Sequence, residues 1–324
     1  MKRISREDAN RFLFDHRDEP VLRVSPGEKF VIETEDALCG EIRSPDVLPT
    51  VENRPSWRRT PPEVNPMGGP VYVEGAEAGD VLAVSIHEII CDSQGVTAVE
   101  PGSGWLGDSK AWPTVSEPTT RIIRHLPGPS GTTKDGVARF SDSISWPLAP
   151  FIGTIGVAPE REVESSAVGQ GPWGGNLDCW DIRPGTKVLI NCYHEGGLFY
   201  CGDVHASQGD GELTGTANET RAAVTLSCEA IKGKRLPFLR LEKQESLVAL
   251  YCFRPLEGAM EMAATNLLQW LVEDYGMEAK EMYMLFSVCP DFKVNVYQAV
   301  RIGRLNYTVG AELPRRYLPR QGKR

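Results

Sequence analysis

The sequence predicts a mainly β protein: a sandwich- or barrel-like antiparallel core with a smaller α+β portion and few helices. Three observations point there. Glycine (32) and proline (24) are abundant and cut the 324 residues into short apolar segments. After residue 181, runs of strand-forming residues alternate with brief glycine turns. One segment alone carries strong helical periodicity.

Taken in order, "KFVIET" (29–34) is the first clear strand. "PVYVEGAEAGDVLAVSIHEII" (70–90) reads as two strands around the turn Glu77-Ala78-Gly79-Asp80. Residues 49–70 form a long proline-rich loop, of a length that belongs to functional lids or disordered segments. A second irregular region, 101–119, is rich in Gly, Pro, Ser and Trp, and "GPSGTTKDG" (128–136) is a hairpin turn. Beyond 181, "PGTKVLINCYH", "LFYCGDVHAS", "ELTGTAN" and "AAVTLSCEAI" are strands joined by short turns, which would make them antiparallel neighbours. Met260, Ala263, Ala264, Leu267, Leu268 and Leu271 recur at helical spacing, with Glu257 and Glu261 near the positive end and Gly276 as the stop. A second helix is expected at 278–288, halted before Pro290. We expect a single unit over 1–324; two intertwined subdomains with a weak boundary near 180–185 are the alternative.

A net charge of −9 argues against nucleic acid as a partner. The basic residues Arg315, Arg316, Arg320, Lys323 and Arg324 read as a frayed, solvated tail. No run reaches the length of a signal peptide or a membrane span, so the expectation is a cytoplasmic protein without a membrane partner. The eight cysteines form no CxxC pair and read as reduced, buried hydrophobes. His87 reads as a core or edge residue and His194 as solvent-facing; His16 and His125 have no partner pattern. H-E-x-x-H, P-loop and G-x-S-x-G motifs are missing, which removes several large enzyme classes.

The stretch "CGDVHASQGDGELTGTANE" (201–219) concentrates the chemistry. Asp203 and His205 are two apart, so on a strand both face the same way, at ligand spacing for a divalent metal. The turn Gly209-Asp210-Gly211 folds the chain back and returns Glu212 on a neighbouring strand within reach of that face. Asp178, ending the glycine-rich "GPWGGNLD" (171–178), is the candidate for a further carboxylate. One imidazole with carboxylates suits Zn2+; Ca2+ or another divalent ion suits an oxygen-dominated site. The same Asp-x-His pair beside a glycine turn also occurs as a surface hairpin with a solvated imidazole, and spacing leaves both readings open. Cys201 is a poor nucleophile, because adjacent carboxylates raise a thiol pKa.

"NPMGGPVYVEGAEAGDVLAVSI" (65–86), "FIGTIGVAP" (151–159), "GPWGGNLD" and "GDVHASQGDGELTGTANE", in this order, resemble the acetamidase/formamidase family over roughly residues 20–300. The resemblance implies hydrolysis of small linear amides to ammonia and a carboxylate, a mainly β architecture, divalent metal and a homo-oligomer, dimer or higher. It carries site roles to Asp178, Asp203, His205, Gln208, Asp210, Glu212 and Glu219. Two departures stand out: Trp173 replaces a common His before Gly-Gly, and Met67-Gly68-Gly69 replaces a common Thr-Gly. An indole at 173 is expected to narrow the pocket or to stack on a flatter substrate.

Within this resemblance, His205, Asp203 and Asp178 hold the ion and Glu212 passes a proton from water to the leaving amine. Asn176 and Gln208 contact the amide or support the ligands. Asp210 is a ligand or only the turn residue, and Glu219 a ligand or a strand-end surface residue. Two rivals stand beside this reading: an amidase of altered scope acting on lactams or bulkier amides, and a non-catalytic metal-binding β protein.

Overall fold

The computed structural model describes residues 1–319. It is built on two large, mostly antiparallel sheets and two α-helices. The first sheet runs Lys2–Ile4, Phe30–Thr34, Ala222–Ile231, Val81–Cys91, Lys187–Asn191, Arg240–Glu242, Ser246–Phe253, Tyr307–Pro314, Lys293–Gln298 in spatial order. The second has Phe199–His205 at its heart, flanked by Phe151–Val157 on one side and by Glu219–Thr220 and Met67–Val73 on the other. Both sheets draw strands from either side of residues 180–185.

Alternation along the strands explains how the first sheet is covered on two faces. On Ser246–Phe253, Val248, Leu250 and Cys252 enter the main core between the sheets, where Phe30 meets Phe199 edge-on. Leu247 and Ala249 point the other way, onto the helix Leu256–Tyr275. That helix answers with Ala263, Leu267, Trp270 and Leu271, a stripe at three- and four-residue spacing. It ends where Gly276 turns left-handed at φ 65°, as the periodicity predicts, and the second helix follows at Ala279–Val288.

Several strand expectations need correction. Lys187–Asn191 and Phe199–His205 are not neighbours. The glycine turn between them carries the chain from one sheet to the other, because both strands find partners elsewhere. "ELTGTAN" is not a strand: residues 212–218 are irregular, and only Glu219–Thr220 pairs. Arg315 and Arg316 are not frayed. The Arg315 guanidinium donates to the Lys243 carbonyl at 2.8 Å and Arg316 pairs with Asp291. Arg320, Lys323 and Arg324 lie outside the described residues. His87 is exposed and not in the core; it sits 2.9 Å from the Ser227 hydroxyl. His194 is partly shielded, bonded to the Pro159 carbonyl and stacked on His16.

Candidate metal centre

The central strand Phe199–His205 is buried along its whole length, so any polar side chain on it must find partners inside the protein. Cross-strand pairing puts Glu219 directly opposite His205. Glu219 Oε2 lies 3.2 Å from His205 Nε2, and Asp203 Oδ1 lies at the same distance. Asp178 Oδ1 approaches the same nitrogen at 3.8 Å. His205 and Glu212 also fall in one compact group with Glu219. Asp178, Asp203, His205, Glu212 and Glu219 are therefore brought together, all buried.

Asp178, Asp203 and Glu212 reach this point through left-handed backbone, at φ 45°, 55° and 48°. Among the described residues, six non-glycine residues have positive φ, and four of them (these three and Asn65) belong to the cluster or touch it. Such conformations persist where surrounding structure enforces them. Glu212 in particular arrives from an irregular loop and not along a returning strand. The loop is pinned by the Gly211 amide, which donates to the Val296 and Tyr297 carbonyls. Gly153 completes the cradle: a Cβ there would sit 2.8 Å from Asp203 Oδ2 and 2.9 Å from Asp178 Oδ1, so only glycine leaves room for both carboxylates.

A ring of neutral groups orients the donors. Asn65 Nδ2 and the Thr154 hydroxyl donate to Asp203 Oδ2 at 2.8 and 2.9 Å, leaving Oδ1 facing the centre. Gln208 Nε2 donates to the carbonyls of Asp178 and Tyr297, both at 2.8 Å. Its Oε1 must then accept from His205 Nδ1–H at 2.9 Å. This assignment keeps a proton on Nδ1, so Nε2 is the nitrogen that faces the carboxylates. Asn176 donates to the Ala167 carbonyl at 2.8 Å, so its amide braces the wall. Asp210 does not join the cluster: it is exposed on the turn and lines a neighbouring cavity, because the loop bends inward only at Glu212.

Four buried carboxylates against one imidazole cannot all be charged. Burial pushes Asp178 up to about 8, with the His205 charge pulling down and Asp203 and Glu219 pushing further up. Burial and then Asp178 hold Glu212 well above the ordinary carboxylate range, and burial raises Glu219. For His205, burial opposes the charge, but Glu219 and Asp203 outweigh it and raise the imidazole. Glu219 Oε2 has no hydrogen-bond partner, although its Oε1 accepts from the Ala217 amide at 2.8 Å. A divalent cation answers both problems, neutralising the charge and giving Oε2 a partner. The donor set, one imidazole nitrogen and several carboxylate oxygens, fits such an ion.

The cluster forms the floor of a cavity of about 370 Å3. Its walls come from the proline-rich loop (Trp57, Pro61, Val64), residues 165–168 and residues 300–305, together with Ala37, Leu38, Glu100, Gly215 and Thr216. Trp173 does not line it. Its indole packs in the main core against Phe14, with ring centroids 4.7 Å apart, which corrects the expectation that it narrows the pocket.

The family model described as "Acetamidase/Formamidase family" matches residues 2–171 and 167–246. The chain belongs to this family. Among solved structures, an acetamidase of Bacillus halodurans superposes with a TM-score of 0.84 at 30% identity, over 97% of this chain and 98% of that one. An acetamidase of Yersinia enterocolitica gives 0.85 at 32% identity, over 98% and 93%. A formamidase of Methylophilus methylotrophus is 26% identical over 61% of this chain and 58% of its own length. An acetamidase of Mycolicibacterium smegmatis is 27% identical over 67% and 65%. This family member thus spans about three fifths of the length of the curated relatives it matches. A gamma lactamase of Delftia acidovorans, with a TM-score of 0.60 at 20% identity, shares the fold.

Asn65, Gly153 and Thr154 fall inside "NPMGGPVYVEGAEAGDVLAVSI" and "FIGTIGVAP", stretches that carry the family resemblance but no site role, and the 300–305 wall carries no motif of its own. The one legible sign was Asn65 itself, a residue that tolerates left-handed backbone, inside a loop too long to be a plain connection.

Proposed function

We propose that this protein hydrolyses the C–N bond of a neutral carboxamide, releasing ammonia and a carboxylate, with a divalent cation held by His205, Asp203, Asp178 and Glu219. The observation that carries the reading is the convergence of His205 Nε2 and buried carboxylate oxygens, one of them unpartnered, at the base of a cavity. When bound, a divalent ion supplies Lewis acidity toward a carbonyl and lowers the pKa of water. Zn2+ is the ion we assign, with Ca2+ as the comparison. Glu212, buried on the same floor, takes the proton of the attacking water and returns it to the departing nitrogen. Gln208 holds the His205 ring, and Asn65 and Thr154 hold Asp203.

Metal analysis of the purified protein, coupled to ammonia release from an amide panel, tests this. Chelation is expected to abolish turnover and a divalent ion to restore it. Full metal content and full turnover in His205→Ala would refute the assigned ligand set. Hydrolysis of no amide would favour the non-catalytic metal-binding protein.

We further infer a cytoplasmic homo-oligomer, a dimer or larger. All eight cysteines are free, which suits a reducing compartment. Tyr283, Met284 and Val288 project from the second helix into solvent, a face suited to another copy. Among the described residues no helix is long and apolar enough to cross a membrane. Light scattering on the purified protein tests the assembly; a monomer at all concentrations would exclude it.

A further inference from the structure

We propose that the preferred substrate is an uncharged carboxamide whose acyl group is apolar and several carbons long, aliphatic or a single ring, and not formamide or acetamide. This rests on the amide-hydrolysis reading and specifies the substrate of that same site. Acetamide has four non-hydrogen atoms and displaces about four waters, roughly 120 Å3 at ~30 Å3 each. That is about a third of the 370 Å3 available. The remainder is walled by Trp57, Val64, Val168, Val300, Ile302 and Leu305. Water there would find few hydrogen-bond partners, whereas an acyl chain displaces it with gain.

The charged side chains that border the cavity above the floor are already engaged. Arg54 pairs with Glu100 and lies 3.8 Å over the Trp57 ring. Arg304 pairs with Glu164 at 2.6 Å. Both guanidinium groups thus already face a carboxylate; among the described residues, the buried side-chain atoms bordering the cavity without a hydrogen-bond partner are Glu219 Oε2 on the floor and Arg54 Nε beneath the Trp57 ring. Gly215, at φ 86°, lets the far wall close down: a Cβ there would sit 2.8 Å from Ile302 Cδ1 and 3.0 Å from Val300 Cγ1. The wall that meets the acyl group is therefore Val300 and Ile302, and these residues set chain-length preference.

The experiment measures kcat/KM for formamide, acetamide, butyramide, hexanamide and benzamide by ammonia release. In parallel, the same amides are titrated calorimetrically into metal-loaded Glu212→Gln. Each added methylene should raise kcat/KM and affinity about fourfold, the ~0.8 kcal/mol of a buried CH2. Ile302→Trp should lower the hexanamide-to-acetamide ratio at least about tenfold; Val168→Phe provides the same test should the first variant fail to fold. A flat or falling series, with acetamide still turned over, would overturn the inference and leave the amidase reading intact. Tighter binding of longer amides without turnover of any would preserve the acyl preference and remove the amidase reading.

Discussion

His205 and Glu219 meet across two paired strands, whereas Asp178 and Glu212 come to the same point from loops bent through left-handed backbone. The strand pair is positioned by sheet hydrogen bonds and would face inward whether or not a ligand were present. The loop pair is positioned by specific contacts: Gly153 making room, Gly211 tied to the neighbouring sheet, Gln208 bridging. The rigid half thus provides the imidazole and one carboxylate, and the adjustable half provides two more carboxyl groups, held in place by those contacts.

Removing the ion should break both halves at once, and the effect should be the largest. In chelated protein Asp178, Glu212, Glu219 and His205 keep native pKa values above those of the unfolded chain, so the native state holds extra protons. The contribution of these groups to stability is fully present below about pH 4, the unfolded carboxylate value, and is lost as pH rises toward about 8, where Asp178 titrates. Thermal melts of chelated protein should show Tm falling between pH 5 and 8 and turnover absent, with both effects suppressed by Zn2+. A flat Tm in the chelated form would mean that the cluster does not carry this charge strain.

Glu212→Gln separates the halves. Metal content should be retained, while kcat falls about 10²–10⁴-fold, the range for a lost general base. Loss of the metal instead would move Glu212 into the ligand set. Gln208→Leu probes the link between them: the His205 ring loses its Nδ1 acceptor, and metal affinity should weaken about 10–100-fold in a competition titration. Smallest in its effect on catalysis is Leu267→Ala, in the second core under the long helix. It should cost about 2–5 kcal/mol in denaturant melts and leave kcat per folded molecule unchanged.

What could be read without coordinates follows the same division. The helix Leu256–Tyr275 was legible because its burial is periodic, and the strand Phe30–Thr34 because it is a short run of aromatic and β-branched residues. The Asp203–His205 pair was legible because two residues on a strand share a face, although Asp203 itself departs from ideal strand geometry. The route of Glu212 was not, since a left-handed glutamate leaves no periodic trace and the expected strand does not exist. Glu219, whose spacing suited a ligand or a surface position equally, required the pairing partner to be known. Short glycine turns misled most: EGG at 195–197 has hairpin length, yet it leads from one sheet into the other. Of the cavity walls only the 49–70 loop was hinted at, by its length, because the rest is assembled from segments scattered along the chain.

The single amide of Gln208 grips the carbonyls of Asp178 and Tyr297. One belongs to the segment just before residues 180–185; the other lies on the strand Lys293–Gln298. Cutting the polypeptide between residues 180 and 185 would consequently yield no self-sufficient piece: the N-terminal fragment would lack the imidazole and the C-terminal one an acid it must face. Activity from such fragments would demand that they find each other again.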